Sequence, residues 1–391
     1  MPDTMSRPAA PASALHVRRG ASTTVEPVAA VIELHEAIAQ DTPSLVLFYC
    51  ASAYAREDVA AEMARRFPSA ASTVVGCTTA GEIGPLGYLD GSLTGVSVGG
   101  DLRIESGRID GLRTFTADDA AALTRRLTLQ LERHGTPVDG SNTFAFLLID
   151  GLSGLEEIVV SALYRNLGDI QLFGGSAGDG TAFGHTKIYH EGEFREDCAV
   201  LMLMQTSRPF QVFKTQHFVR AENKLVVTGA DPASRTVSEI NGEPAGREYA
   251  RVVGLDVVDL TPMIFACHPV VVRMGGEEYV RSIQKVNDDG SLTFFCAIEE
   301  GVVLTVARGV DLIESLEAQF ATLEAALGPP ELVIGCDCIL RHLECKERGI
   351  TERVGKILND NHVIGFGTYG EQFNAVHVNQ TLTGVAIGRA R

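Results

Sequence analysis

Apolar residues recur at i, i+3 and i+4 through VEPVAAVIELHEAIAQ, which predicts a helix from residue 27 on, and the unbroken apolar run SLVLFYCA after it reads as a buried strand. A second helical pattern, REDVAAEMARRFP, stops at Pro68 and leads into another strand, STVVGC. Strand, helix, strand in that order predicts a parallel pair joined by a crossover helix. The alternation continues. SLTGVSVGG is a strand, DDAAALTRRLTLQLERHG a long amphipathic helix ending at Gly135, NTFAFLLID a strand and LEEIVVSALYRNLG a helix, after which IQLFGGSAGDG, HTKIYHEGEF, CAVLMLMQ and FQVFKTQHF are short β segments.

Past residue 220 the texture shifts to short strands with turn dipeptides, Asp231-Pro232 and Asn241-Gly242, and then a helix through GREYARVVG. MIFACHPVVVRM, EYVRSIQKVN and SLTFFCAIEE read as strands. A helix around DLIESLEAQFATLEAAL, the strand ELVIGCDC, a helix through HLECKERGITERVGKIL and the strand VIGFGTYGE close the chain. These patterns predict a Pro- and Ala-rich flexible tail over 1–26, a first domain over 27–220 and a second over 221–391.

The chain also repeats itself. VVGCTTAGEIGPLGYLDGSLTGVSVG (74–99) aligns without a gap on VIGFGTYGEQFNAVHVNQTLTGVAIG (363–388), with ten of 26 positions identical, and GGSAGDG (174–180) is a kindred turn between them. The spacing is too long for a solenoid. An ancient duplication explains it, giving a mixed α/β fold of two related halves, each a β-sheet covered by helices. In each copy a strand runs into glycine, small residues and an acid. Such a turn is either a pocket rim or a tight strand-end turn whose acid bonds its own backbone. The rim reading makes Thr79, Glu82, Ser176, Asp179, Thr368, Tyr369, Glu371 and His377 ligand-pocket candidates.

Composition narrows the function. With 45% hydrophobic and 21% charged residues over 391 positions, the chain is globular, and its net charge of −17 disfavours nucleic acid and anionic membrane as partners. No apolar run reaches the length of a membrane helix and no signal-peptide centre is visible, so a cytoplasmic location is expected. Neither GxxxxGK[ST] nor HExxH occurs, and no GxSxG stands in the strand–turn–helix context of a nucleophile elbow. The turns are not phosphate loops, and the chain reads as a non-enzyme.

The series VVGCTTAGEI, LFGGSAGDG with Phe183 and Thr186 behind it, EINGEPAGREY, DGSLTFFCAIEEG, VIGCDCILR and VIGFGTYGEQFN resembles the FIST family, a two-part sensory module, over roughly residues 27–389. The stretch TQHF…LVVTGADPASRTVSEINGEPAGREYAR is similar to the NosP-type subset. That resemblance implies a haem b cofactor, nitric oxide as the small gaseous ligand and a histidine kinase as the regulated partner. Because no kinase, receiver or cyclase segment is visible, the signal is expected to pass to a separate protein. The alternative is a FIST binding module for an amino acid or other small metabolite, without haem. Oligomeric state is left open.

Two histidines compete as the iron ligand. His217 lies among Phe210, Phe213, Phe218 and Val219 at the junction of the halves, and His268, next to Cys267, is the second choice. For a lone histidine the commoner role is a core residue hydrogen-bonded to its neighbours. Separately, Cys338, His342 and Cys345 fall at i, i+4 and i+7, one face of a helix, with Cys336 nearby, a spacing able to hold zinc or an iron–sulfur cluster. The same spacing also describes a plain buried face.

Overall fold

Each long apolar run is a strand covered on both faces, which is why it shows no alternation. The computed structural model describes residues 14–68, 72–274 and 276–389. Its elements fall into three units of one pattern. The first runs β1 (Leu15–Ser22), α1 (Pro27–Ile38), β2 (Pro43–Cys50), α2 (Glu57–Arg66), β3 (Thr73–Thr78), a hairpin of β4 (Glu82–Gly84) and β5 (Gly87–Leu89), and β6 (Leu93–Gly100). The second repeats it as β7 (Arg103–Asp110), α3 (Ala117–Glu132), β8 (Thr143–Ile149), α4 (Glu156–Tyr164), β9 (Gln171–Ser176), the hairpin β10 (Ile188–His190) and β11 (Glu193–Arg195), and β12 (Cys198–Gln205).

The third unit opens with β13 (Phe210–Thr215) and is then interrupted. The inserted segment holds β14 (Phe218–Asp231), β15 (Thr236–Ile240), β16 (Glu243–Pro244), α5 (Ala245–Val253), α6 (Pro262–Cys267), β17 (Val270–Met274), β18 (Glu277–Arg281), β19 (Ile283–Val286), β20 (Leu292–Phe294) and β21 (Val303–Gly309). The unit resumes with α7 (Leu312–Leu327), β22 (Leu332–Cys338), α8 (Ile339–Glu347), α9 (Thr351–Asp360), β23 (Val363–Thr368), the hairpin β24 (Glu371–Phe373) and β25 (Val376–Val378), and β26 (Leu382–Ile387).

In every unit the two central strands pair in parallel (β2 with β3, β8 with β9, β22 with β23), the last strand returns antiparallel to the first of them, and the opening strand pairs with that return. The hairpins do not stay at home. β4–β5 of the first unit adds to β23 of the third, β24–β25 of the third to β9 of the second, and β10–β11 of the second to β3 of the first. Each of the three six-stranded sheets is therefore completed by a neighbour, in a cycle.

Alternation along the central strands sends one set of side chains to a core shared by the three sheets: Leu47 and Tyr49, Phe146 and Leu148, Ile334 and Cys336. The opposite set lies under each unit's own helices, as Phe48 does beneath α1 and α2, Leu147 beneath α3 and α4, and Val333 beneath α7 and α9. The inserted segment has its own sheet and core, built around Leu225, Tyr249, Phe265 and Phe294.

Both halves are thus mixed α/β with helix-covered sheets, and segments 74–99 and 363–388 take the same strand–hairpin–strand path, as the repeat predicts. The middle turn belongs to a third copy of the unit. Other expectations change. The tail is ordered from Leu15, since LHVRRGAS pairs along the whole of β6; its two arginines and glycine hid the strand. Residues 1–13 lie outside the described residues. MIFAC is helical because Thr261 caps it, accepting from Ile264 N, with Pro262 at its first position. HLECKERGITERVGKIL is two helices, broken at Gly349 with φ +64°. The chain leaves the three-sheet body after residue 215, not 220, and residues 312–388 belong to the same body as residues 15–215.

Candidate ligand cleft

The three turns meet and hand hydrogen bonds around a ring. Ala80 N donates to Gly367 O (2.8 Å), Tyr369 N to Ser176 O (3.2 Å) and Gly178 N to Thr78 O (3.0 Å). Close backbone approach explains the glycines: a Cβ on Gly367 would sit 2.6 Å from Ala80 O. The acids of the outer copies staple their own hairpins. Glu82 accepts from Thr79 Oγ1, Ser92 N (2.9 Å) and Ser92 Oγ (2.7 Å). Glu371 repeats this with Thr368 Oγ1, Thr381 N (3.2 Å) and Thr381 Oγ1 (2.7 Å). Burial pushes Glu82 up to about 7 and Glu371 to about 8, against the opposing effect of these hydrogen bonds. Thr79, Glu82, Thr368 and Glu371 are therefore part of the turn's own framework and do not line the cleft bordered by Arg235. In the middle copy, Asp150 does the stapling from the preceding strand end. It is buried rather than solvated, and takes Thr186 Oγ1 and Asp197 N (2.6 Å).

The remaining candidates come together where the third turn meets the second unit and the inserted segment. Tyr369 Oη donates to Asp179 and accepts from Asp179 N at 3.1 Å. Asp179 Oδ2 accepts from Gly184 N and His185 N, both at 2.8 Å, and so shapes the loop that holds Phe183 at φ +50°. Phe183 stacks on Tyr369 with ring centroids 4.6 Å apart. These two rings, with Leu152, Glu156, Arg235 and Phe295, border a cleft of about 250 Å³. Arg235 crosses it. Its Nη2 reaches Glu156 (2.6 Å) and Glu157 (2.7 Å) on α4, and Nη1 the Phe295 carbonyl (2.8 Å). Burial lifts Glu156 to about 7, with Arg235 opposing the rise.

Behind the cleft stands His377, fully buried, its pKa pushed down to about 4 by burial, with Glu157 pulling the other way. Gln372 Nε2 donates to Ser176 Oγ (3.0 Å) and to His377 Nδ1 (3.3 Å), so the neutral ring carries its hydrogen on Nε2. The Phe295 backbone carbonyl favours that Nε2–H, while Asn379 Nδ2, Gln372 Oε1 and Ser282 Oγ have no hydrogen-bond partner among the described residues. Three orphaned buried polar atoms are expensive unless something meets them. Gly370 makes the room, since a Cβ there would lie 2.3 Å from His377 Cε1.

Arg235, Glu156, Gln372, Asn379 and Ser282 were not among the sequence candidates. The repeat held the signal for two of them. Where the third unit has Gln372, His377 and Asn379, the first has Ile83, Tyr88 and Asp90, so the hairpin frame is kept while the residues facing the gap change.

The other candidates lie elsewhere. His217 is fully buried, with Nδ1 2.9 Å from Arg341 Nη1 and Nε2 2.7 Å from Glu344. Arginine only donates, so Nδ1 accepts, Nε2–H donates, and neither nitrogen is left for a metal. Its apolar neighbours Phe210 and Phe213 line no shared slot with it; Phe210 packs on the shared core and Phe213 under α7. His268 borders a separate groove of about 670 Å³ with Phe218, Val306, Cys267, Arg308 and Arg348. Its Nδ1 lies 3.3 Å from Ile264 O, which places the hydrogen there and the lone pair on Nε2, the tautomer a ligating histidine takes. The four-residue metal set is dispersed: Cys336 faces the shared core, Cys338 packs between α6 and α8, Cys345 lies under α9, and His342 stacks on Tyr88 and bonds Asp90 (3.1 Å). The helix begins only at Ile339, so Cys338 is not on its face. Among the described residues no three His, Cys, Asp or Glu side chains are grouped to hold a metal ion.

A three-unit body and an inserted segment border the small polar cleft at Arg235. The model of the FIST N domain matches residues 44–243 and that of the FIST C domain residues 245–374. The chain belongs to the FIST family, whose domains are non-catalytic sensory modules, and its general role is in signalling. No curated protein sequence matches the chain. Among the described residues no helix is long and apolar enough to cross a membrane.

Proposed function

We propose that the chain senses a small polar metabolite of the amino-acid class, held between the second unit and the inserted segment, and passes its bound state to a separate signalling protein such as a histidine kinase. The observation that carries this reading is the cleft lined by Arg235, Glu156, Phe183 and Tyr369, with orphaned polar atoms on Asn379, Gln372 and Ser282 buried beyond its lining. Arg235 and Glu156, paired with each other in the cleft, would share that pairing with a ligand carboxylate and ammonium, and Phe183 and Leu152 supply an apolar rim, an arrangement suited to a zwitterion. The test is a thermal-shift panel of amino acids and their decarboxylated and deaminated analogues. A rise in melting temperature confined to compounds bearing both charges supports the reading; a flat panel contradicts it.

A second reading rests on the His268 groove. Its apolar residues Phe218 and Val306 and the Nε2 lone pair favour haem b, with His268 as the residue that would hold the iron and Arg308 the cation for a propionate, while Arg348 is taken by Glu344 and Asp311 in the same groove; His217, the first choice from sequence, has both ring nitrogens engaged. Bound there, the haem would supply an iron centre for nitric oxide.

A further inference from the structure

The inserted segment joins the body through two short crossings that run side by side. The chain leaves through Gln216 and His217 and returns through Val310 and Asp311, and Val310 N donates to His217 O at 2.8 Å. Both crossings are fixed to one helix of the body. His217 bonds Arg341 and Glu344 of α8, and Arg348 just beyond α8 holds Glu344 (2.9 Å) and approaches Asp311 (3.6 Å). This is the geometry of a hinge with a clamped axis.

At the far side the contact is of another kind. Arg235 bridges to Glu156 and Glu157, Ala297 N donates to Glu157 Oε1 (2.9 Å), Arg281 Nη1 to the His377 carbonyl (2.8 Å) and Ser282 N to Asn379 Oδ1 (3.4 Å). Buried orphan atoms lie along this boundary, on Ser282, Gln372 and Asn379. The same boundary holds an apolar seam in which Met263, Ala266 and Phe295 pack on Ile339, Leu340 and Tyr369, so it is the polar part of the interface that is poorly stabilised when empty and completed when a polar molecule fills it.

We propose that the inserted segment, residues 218–309, is a lid that swings about the 216–217 and 310–311 crossings, with Arg235 as its latch and the closed form completed by ligand. The purpose of the lid rests on the metabolite reading; its motion does not. Opening exposes Glu156, His377 and Asn379, and shifts the lid's outer face relative to the three-sheet body, which is a change a partner protein can read.

Amide hydrogen exchange on the full chain, without any metabolite, tests the hinge. The amide of Ser282, bonded to Asn379 and not to a latch residue, reports closure, and those of β8 and β22 report the body. Replacing both carboxylates by Glu156→Gln and Glu157→Gln removes the latch from the body side and leaves the lid's sequence intact; Arg235→Ala removes it from the other. Each is expected to speed exchange at Ser282 about tenfold or more, the scale of a lost charged hydrogen bond, with β8 and β22 unchanged. Equal exchange at Ser282 in the wild type and the double carboxylate variant overturns the lid, as does faster exchange that spreads equally through β8 and β22. A lid that opens in a chain binding no metabolite retains the hinge and discards the metabolite.

Discussion

Glu82 and Glu371 make the same hydrogen bonds in different units: each takes a threonine hydroxyl three residues before it and the backbone N–H and hydroxyl of a residue ten after it. Neither is paired with a cation among these contacts. The repeated turn is therefore a device for closing a hairpin that is then lent to the next sheet, and the acid is chosen for its ability to accept from several donors at once.

That burial has a pH signature. Both acids have folded pKa values raised from 4.5, Glu82 to about 7 and Glu371 to about 8. The folded state holds their protons more tightly than the unfolded chain does, so the stability they contribute is full below about pH 4.5 and is lost as pH rises towards 8. For Glu371 the loss is on the order of a few kcal/mol. Urea unfolding between pH 5 and pH 8.5 should show falling stability in the wild type and a flatter profile in Glu371→Gln; parallel profiles for the two proteins would refute the assignment.

Gly365 and Gly335 sit opposite each other on β23 and β22 but differ in what a side chain would meet. A Cβ on Gly365 would lie 2.1 Å from the Gly335 carbonyl, whereas one on Gly335 meets only side-chain atoms at 3.2 Å and beyond. Gly365→Ala should cost about 3 kcal/mol or more, and Gly335→Ala about 1 kcal/mol, by chemical denaturation. Similar costs at both positions would mean that the two strands do not approach as described.

Because β9 is completed by β24–β25 and β23 by β4–β5, neither matched family region owns all its strands. The fragment 1–216 leaves β9 with an unpaired edge and its own β4–β5 without a sheet. Expressed alone it should give a poorly dispersed NMR spectrum or aggregate, and recover on mixing with the fragment 217–391. A well-folded isolated fragment would contradict the exchanged hairpins.

For the haem reading, reconstitution should be sensitive to His268→Ala, with a shifted Soret band and faster haem loss, and insensitive in ligation to His217→Gln. A Soret band that moves only with His217→Gln would return the ligand role to His217.

Much of the body is legible in the sequence. Central strands covered on both faces leave apolar runs such as NTFAFLLI, and the staple preserves Thr79 and Glu82 in their counterparts Thr368 and Glu371. The hairpin exchange is not legible, because β4 has the same sequence whether it pairs with β3 or with β23. The third unit's opening strand reads as a β segment of the first domain, because the segment inserted between Thr215 and Leu312 separates it from the rest of its unit and makes residues 221–391 look like a single domain. In the cleft, Tyr369, Asp179, Ser176 and His377 could be read because they stand in or beside the repeated turn. Arg235 and Glu156 could not, since they lie on segments without a repeat and meet only through the fold. His217 looked like a ligand because its neighbours in sequence are aromatic, while its partners Arg341 and Glu344 are far along the chain.

The central claim is that a small polar molecule satisfies the atoms behind the Arg235 cleft. Isothermal titration calorimetry with the best compound of the thermal-shift panel, on the wild type and on Gln372→Leu and Asn379→Leu, tests it most directly. The account predicts saturable binding at one site per chain in the wild type, weakened at least ~10-fold in each variant, as expected when a buried hydrogen bond to the ligand is lost. Undiminished binding in both variants would contradict it.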